Sequence, residues 1–438
     1  MKILIKNGRV INPATGFDEI CDLAVAASKV VAIKNIASDF VPNKTIDASG
    51  CIVAPGLVDL AARLREPGYE HAGMLQSELA AAVAGGVTSL VCMPDTDPVL
   101  DEPGLVEMLK FRAEKLHQSH VFPLGALTVN LKGEVLTEMV GLAEAGCVGF
   151  SQAEVPLGNT QVLQRALQYA STFGYAVWLR PQDMHLGKGV AASGALATRM
   201  GLSGVPVAAE TIALHTIFEL MRANTTQSTQ AKVHICRISS AAGVALVRQA
   251  KAEGLQVSCD VSINSLHLTD VDLGYFDSRA RLNPPLRQQR DRDVLRAGLL
   301  DGTIDALVSD HTPVDEDAKT LPFAEAEAGA TGLELLLSLA LKWQSESSDK
   351  SLTLAKTLAT VTSQPAKVLL ANLPPANVSL GQLIEGSAAD ICIFDPKAMW
   401  VVSNDTLRSQ GKHTPFSGYE LPGQVVATLV GGHVAFER

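Results

Sequence analysis

The feature that most constrains the fold is an alternation of short apolar runs with helix-like segments along the centre of the chain. Eight of the runs have the length and continuous apolar character of buried strands. Eight strand–helix alternations are what a (β/α)8 barrel requires, and parallel strands covered on both faces are expected to be continuously apolar. The strands are predicted at about 54–62, 87–93, 122–129, 146–151, 175–180, 232–238, 255–261 and 305–310, and the intervening helices include Leu75–Val83, Val106–Lys115, Val162–Tyr169 and Ala208–Met221.

Both ends of the chain have a different pattern, made of short strands and turns. Ile3 and Ile5 alternate with lysines, and no helix of ordinary length is predicted before about residue 54. Strands separated by glycines are predicted again after about residue 378, at Gly381–Gly386, Ala389–Asp395 and Val425–Val430. We therefore predict an α/β protein with two domains: a (β/α)8 barrel over residues 55–377, and a small β domain that combines residues 1–54 with 378–438.

The composition of the chain argues against some classes of function, such as binding to nucleic acid or to a membrane. The net charge of the 438 residues is −10 and no basic run is present, which argues against a nucleic-acid partner. The seven cysteines never form a Cys-x-x-Cys pair and mostly lie in apolar runs, as reduced thiols do in the cytosol. The N-terminus does not resemble a signal peptide, and no apolar run is long enough to cross a bilayer. We expect a cytoplasmic protein with no membrane partner.

The end of the first predicted barrel strand carries a family signature. Pro55–Asp59 reads Pro-Gly-Leu-Val-Asp and is followed by Leu60–Gly68. The segment resembles the signature of the dihydroorotases in the amidohydrolase superfamily, where Pro-Gly-Leu-Val-Asp leads to His-x-His-Leu-Arg-Glu-Pro-Gly. The resemblance extends from Gly8 to Val434. It implies an amidohydrolase-like barrel flanked by a β domain from both chain ends, and a family chemistry in which zinc assists the hydrolysis of a cyclic amide.

The family's metal-ligand positions carry other residues here. The two histidines of the signature are replaced by Ala61 and Arg63, and arginine also stands at the ligand positions after strands five and six. A methyl group has no lone pair and a guanidinium stays protonated, so neither can bind a cation. We therefore predict no metal and no cofactor. The altered positions are Ala61, Arg63, Gln152, Ala153, Arg180 and Arg237, and Glu154, which follows the strand-four pair, is expected to point elsewhere.

Some family positions are kept. Asp310 matches the family's proton shuttle and metal ligand, and Arg65 and Asn283 match positions that hold dihydroorotate. Asp95 replaces an asparagine of the family, and its negative charge is expected to repel an anionic substrate. No catalytic residue is assigned on this basis, since Asp310 is left without the other metal ligands.

Four arginines are predicted to meet at the barrel mouth with Asp310, because all lie at or near the C-terminal ends of predicted strands: Arg63, Arg65, Arg180 and Arg237. One interpretation is that the guanidinium groups replace the charge of the metal and give Asp310 a partner. The other is an anion-binding site, since arginine suits phosphate and carboxylate. We favour the first interpretation because buried carboxylates usually need partners.

Within this family, the sequence resembles the non-catalytic dihydroorotase-like chain that some bacteria carry beside the catalytic chain of aspartate transcarbamoylase. It implies a protein of pyrimidine biosynthesis that is not an enzyme and acts as a structural subunit. The expected assembly contains six of each chain, with self-association through the barrel. Two alternatives remain open: a cyclic-amide hydrolase with a rewired or metal-independent site built on Asp310 and His311, and a sensor of anions or nucleotides.

Overall fold

A computed structural model describes residues 1–224, 230–371 and 379–438 of the chain. The strands are β1 Ile3–Asn12, β2 Phe17–Ala26, β3 Lys29–Ile33, β4 Lys44–Asp47, β5 Ile52–Pro55, β6 Leu57–Ala62, β7 Val87–Cys92, β8 His120–Pro123, β9 Gly125–Ala126, β10 Phe150–Ser151, β11 Ala176–Leu179, β12 Ala191–Ala192, β13 Gly204–Val205, β14 Lys232–Ile235, β15 Val257–Ser262, β16 Ala306–Val308, β17 Ile391–Val401, β18 Glu420–Val430 and β19 His433–Glu437. The helices are α1 Leu75–Ala84, α2 Pro103–Lys115, α3 Met139–Glu144, α4 Thr160–Phe173, α5 Ala195–Met200, α6 Val207–Ala223, α7 Ala241–Ala252, α8 Ile263–His267, α9 Gln289–Asp301, α10 Leu336–Glu346, α11 Leu354–Ala359 and α12 Ser363–Leu370.

The central strands form the predicted parallel barrel. Strands β6, β7 and β8 pair in one run, and β9, β10, β11, β14, β15 and β16 pair in the other. β8 and β9 are separated only by Leu124 and together form one barrel strand, which joins the two runs. The ring closes where Ala62 bridges His311 and the Arg63 amide donates to the His311 carbonyl at 2.9 Å. The (β/α)8 prediction is confirmed, and each of the eight predicted runs contains a strand.

The helix α4 shows how the local sequence produces the outer ring. Its N-terminus begins after Asn159, whose side chain accepts hydrogen bonds from two backbone amides of the first turn. Its apolar side chains recur at helical spacing and are buried. The helix ends at Gly174, which has a left-handed φ of 74° that suits glycine. The four helices predicted from periodicity are all present.

Both ends of the chain meet in one sheet, with strand order β19-β18-β17-β5-β1-β2-β3 and β4 beside β1. β5 connects the N-terminal and C-terminal strands of this sheet, because it pairs with β1 on one side and with β17 on the other. The strand predicted at about 54–62 divides at Gly56: the residues before this glycine belong to β5 of this sheet, and those after it form β6 of the barrel. A Cβ on Gly56 would lie 2.1 Å from the Thr88 hydroxyl, so the divide requires glycine. The β domain from both termini is confirmed, and the predicted 377/378 boundary lies outside the described residues.

The strand predicted at Gly381–Gly386 is wrong. Both glycines have left-handed φ values, 66° and 88°, which interrupt an extended backbone. The segment instead forms a turn in which the Ser387 amide donates to the Ile384 carbonyl at 3.0 Å. Its Leu383 carbonyl accepts a hydrogen bond of 2.7 Å from Asn12, which ties the turn to β1. Among the described helices, none has the length and apolar character needed to cross a membrane.

Candidate functional site at the barrel mouth

A single carboxylate, that of Glu154, lies at the centre of the barrel mouth. Its Oε1 contacts the guanidinium groups of Arg63, at 2.7 Å, and Arg237. Its Oε2 lies 3.2 Å from Arg180 Nη1 and accepts a hydrogen bond of 2.7 Å from Asn283 Nδ2. Residues from four different strand ends are therefore connected through one side chain.

The prediction that Glu154 points elsewhere is wrong, and the backbone explains why. Ala153 has a φ of 50°, a left-handed conformation that is uncommon for a residue with a Cβ. This turn directs Gln152 and Glu154 to different sides. The side-chain amide of Gln152 bonds to the neighbouring loop: its Oε1 accepts from the Thr128 hydroxyl at 2.9 Å, and its Nε2 donates to the Leu131 carbonyl at 2.7 Å. Glu154 is thereby free to enter the mouth.

Arg63 also neutralises Asp95. Its Nε donates to Asp95 Oδ2 at 2.7 Å, and its Nη1 donates to the Thr312 hydroxyl at 3.1 Å. The expectation that Asp95 would repel an anionic substrate assumed an unpaired carboxylate. In the structure that charge is shared with a buried guanidinium, so the repulsion is largely cancelled.

Asp310 has the guanidinium partner that the sequence suggested. Arg237 Nη1 lies 2.9 Å from Asp310 Oδ1, and both residues adopt left-handed backbone conformations, with φ of 53° and 52°. Such conformations in residues other than glycine often occur at functional sites. Arg65 lies apart from Glu154, since it donates to the Pro313 carbonyl at 2.8 Å and lies 3.4 Å from Glu327. The predicted four-arginine group is thus three arginines around Glu154 and one outside.

The charges in this cluster balance. Three guanidinium groups face three carboxylates, and we call these six residues the mouth cluster: Arg63, Arg180, Arg237, Asp95, Glu154 and Asp310. Burial by itself raises the pKa of Glu154, but the surrounding guanidinium groups outweigh burial and hold that pKa well below its ordinary value. Burial raises the pKa of Asp310, against an opposite effect of Arg237. Burial lowers the pKa of Arg180 to about 10.

The open space beside the mouth cluster is small. A cavity of about 80 Å³ is lined by Asp310, Thr312, Leu282 and Gly329, together with members of the cluster. Pockets that enclose drug-sized molecules are usually about 300–1,000 Å³. In this conformation that cavity has room for a few waters or a small fragment of a substrate. A second cavity of about 180 Å³ is lined by Arg180, Gln152 and Ala153.

The residues at the mouth do not fit the zinc of the family. The ligand positions hold a methyl group and guanidinium groups, and the carboxylates of the mouth cluster already accept guanidinium hydrogen bonds or ion pairs. Among the described residues, His234, Cys236 and Asp260 are close enough to share an ion, but they lie buried in the barrel wall. Both imidazole nitrogens of His234 are occupied there, by Ser258 at 2.8 Å and Asp260 at 2.9 Å.

The His311 side chain hydrogen-bonds to groups that stabilise the fold, and among the described contacts it does not bond to the Asp310 carboxylate. Its Nε2 lies 2.8 Å from Glu78 Oε2, and its Nδ1 accepts from the Gly332 amide at 3.1 Å, so Nε2 carries the proton. Glu78 also accepts from the Ser409 hydroxyl at 2.5 Å and from the Gln410 amide at 3.0 Å. Sequence reasoning missed this buried pair, because Glu78 carries no motif and stands far from His311 in the chain.

Comparison with known proteins places the chain in a family. Residues 50–242 match the family described as Dihydro-orotase-like. A dihydroorotase-like protein of Pseudomonas aeruginosa is 41% identical over 438 residues, which is 100% of both chains. The chain belongs to the dihydroorotase-like family. A dihydroorotase of Geobacter metallireducens is 39% identical to this family member over 439 residues, also 100% of both chains. The solved L-hydantoinase (dihydropyrimidinase) of Arthrobacter aurescens superposes with a TM-score of 0.85 at 25% identity, over 99% of this chain and 96% of that one.

These comparisons correct the expectation that this dihydroorotase-like chain is not an enzyme. Relatives at 38–39% identity are named dihydroorotase, and the solved structure from Arthrobacter aurescens is a hydantoinase, so the family context points to an enzyme. The expectation treated the loss of imidazole ligands as the loss of all catalysis. That step does not follow, because a barrel mouth can support different chemistry with different residues.

Proposed function

We propose that this dihydroorotase-like chain serves pyrimidine biosynthesis as a subunit of an assembly with the catalytic chain of aspartate transcarbamoylase. The observation that carries the proposal is the rebuilt barrel mouth. The whole barrel and β domain are retained, while the family's ligand positions form an ion-paired cluster around Glu154. A fold retained in full around an altered mouth fits a role in which the outer surface holds a partner. The name of the Pseudomonas aeruginosa relative, a dihydroorotase-like protein, is compatible with such a chain.

The proposed assembly contains six of each chain, and copies of this chain associate with one another through the barrel. The test is co-expression with the transcarbamoylase catalytic chain, followed by size-exclusion chromatography with light scattering. The expected result is one peak that contains both chains in equal number, with a mass near that of six pairs. Each chain run alone is the control. Separate elution of the two chains at micromolar concentration would contradict the proposal.

A second candidate function is hydrolysis of a cyclic amide at the rewired mouth. The observation that favours it is the position of Asp310, a buried carboxylate with a raised pKa beside a cavity and the guanidinium of Arg237. Asp310 can accept a proton from the attacking water while a neighbouring guanidinium stabilises the carbonyl oxygen. The ring C–N bond then breaks, and the proton held by Asp310 passes to the leaving nitrogen.

This candidate is tested by turnover of dihydroorotate and of hydantoin by chelator-treated protein. Activity should fall by a factor of about 100 or more in Asp310→Asn, while Asp317→Asn, an exposed aspartate in the same loop, should keep it. Turnover that appears only after zinc is added, or that survives Asp310→Asn, would contradict hydrolysis by this route. The assay does not depend on the transcarbamoylase chain, so the two proposals fail separately.

A further inference from the structure

A second crevice lies at the end of the barrel opposite the mouth. It has a volume of about 530 Å³ and lies between the second half of α2, residues 117–122 and the β18–β19 turn at 430–433. β8 begins at His120 within this crevice, whereas the mouth cluster follows the ends of the barrel strands. The crevice is therefore a site separate from the one described above, formed where the barrel meets the composite sheet.

The crevice collects basic side chains in a chain with a net charge of −10. Lys110, His117 and His433 line it, and within the described ranges none of the three forms an ion pair with a carboxylate. His120 also lines it and lies 3.3 Å from the buried Asp390, while Glu114 contributes one carboxylate.

Lys110 is held with its ammonium group available. Its one hydrogen bond in the structure is a long contact of 3.4 Å to the Ala145 carbonyl. A Cβ on the adjacent Gly146 would lie 2.2 Å from Lys110 Nζ, so any larger residue there would displace the ammonium. Gly146 also has a φ of 111°, which favours glycine on backbone grounds. In the described structure the Lys110 ammonium therefore lies beside Gly146 with no carboxylate at ion-pair distance.

Most of the remaining lining is apolar, and one of its buried polar atoms has no hydrogen-bond partner. Val121, Phe122 and Val430 contribute hydrocarbon and aromatic surface. Gln118 Oε1 is buried and has no hydrogen-bond partner in the described structure. A buried acceptor without a hydrogen-bond partner is unfavourable, and a ligand that brings a donor would satisfy it.

We propose that this crevice binds a small organic anion that carries a flat ring, of the chemical class of mononucleotides. The Lys110 ammonium and the imidazole N–H groups of His117 and His433 suit a phosphate. The apolar wall around Phe122 suits the face of a base. A base or ribose also has an N–H or O–H group that can donate a hydrogen bond to Gln118 Oε1. The volume lies within the range of about 300–1,000 Å³ that is usual for small-molecule sites.

The test is isothermal titration of the full chain with AMP and with UMP, alongside inorganic phosphate and adenosine as partial ligands. At least one nucleotide is expected to bind with one site per chain, more tightly than either partial ligand. Lys110→Ala and His433→Ala should each weaken binding by a factor of about 10 or more, since each removes a hydrogen bond to a charged group. Phe122→Leu should weaken the nucleotide and leave the affinity for phosphate unchanged.

Lys350→Ala is the matched control, because Lys350 is an exposed lysine outside the crevice. Its affinity should equal that of the unaltered chain, and thermal melts of all variants show that they remain folded. The proposal is overturned if neither nucleotide binds at millimolar concentration, or if binding is indifferent to Lys110 and His433. It is equally overturned if inorganic phosphate binds as tightly as the nucleotide, since the apolar wall would then have no role.

Discussion

Glu154 is the residue on which the barrel mouth depends, because three guanidinium groups share its carboxylate. In Glu154→Gln the arginines keep their charges and lose their common partner. Removal of one member of a buried ion pair costs about 3–5 kcal/mol. We expect the free energy of unfolding to fall by about 3 kcal/mol, near the lower end of that range, since the Glu154 side chain is 30% exposed. Urea denaturation followed by circular dichroism measures the loss.

Glu144→Gln is the control for this substitution. Glu144 ends α3 and is exposed, so its replacement should change the unfolding free energy by less than about 0.5 kcal/mol. Equal stabilities of the Glu154 and Glu144 variants would mean that the arginines do not rely on Glu154.

The same carboxylate makes stability sensitive to acid. The pKa of Glu154 is lowered in the folded chain, because its guanidinium neighbours outweigh the effect of burial. An acid with a lowered folded pKa stabilises the fold above its unfolded pKa of about 4.3, and this contribution is lost as the pH falls below that value. We expect the urea midpoint to drop between pH 5 and pH 2, more steeply for the unaltered chain than for Glu154→Gln. Parallel pH profiles of the two proteins would contradict the assignment.

At the residue scale, the sequence located the arginines and missed their partner. Arg63, Arg180 and Arg237 each lie at or next to the C-terminal end of a predicted strand, and the C-terminal ends of barrel strands meet at one mouth. Glu154 depends on the left-handed backbone of Ala153, and alanine gives no signal for that conformation. The pairing of His311 with Glu78 was hidden for a different reason, since a contact between distant residues has no spacing to detect.

The elements around the mouth are fastened to the C-terminal segment by a second buried carboxylate. Glu78 on α1 holds His311 after β16, and it also accepts from Ser409 and from the Gln410 amide. In Glu78→Gln the new NH2 group must face at least one of these donors, which leaves a buried donor unpaired at a cost of about 2 kcal/mol. We expect a loss of that size, together with faster hydrogen exchange at the amides of 408–412.

Glu107→Gln on α2 is the control, since Glu107 is exposed. Unchanged exchange rates at 408–412 in the Glu78 variant would show that this carboxylate does not hold the segment.

At the element scale, continuous apolar runs were sufficient to find the barrel strands, because burial on both faces leaves little room for polar residues. The predicted strand at 54–62 could not be divided at Gly56 from composition alone, since the residues on both sides of that glycine are buried, each in a different sheet. The apolar residues between Gly381 and Gly386 predict a strand there. Leu383 is indeed buried, but burial does not require an extended backbone.

For the whole molecule, the absence of a fitting ligand set at the mouth predicts indifference to chelators. A bound metal stabilises the fold that holds it, so removing a structural or catalytic metal lowers the melting temperature. We expect overnight treatment with EDTA to leave the melting temperature of this chain unchanged within about 1 °C. Added zinc at an equimolar level should have no stabilising effect. A chelator-induced drop of several degrees, restored by zinc, would mean that ligands have been misassigned.

The joining of both chain ends in one sheet has a consequence during synthesis on the ribosome. β5 pairs with β1 on one side, but its other edge pairs with β17, which begins at Ile391. All barrel strands must therefore be translated while that edge stays open, and open strand edges are prone to pair with other chains. We expect nascent chains halted before residue 391 to aggregate or recruit chaperones. Release of the last three strands would close the edge and end that vulnerable period.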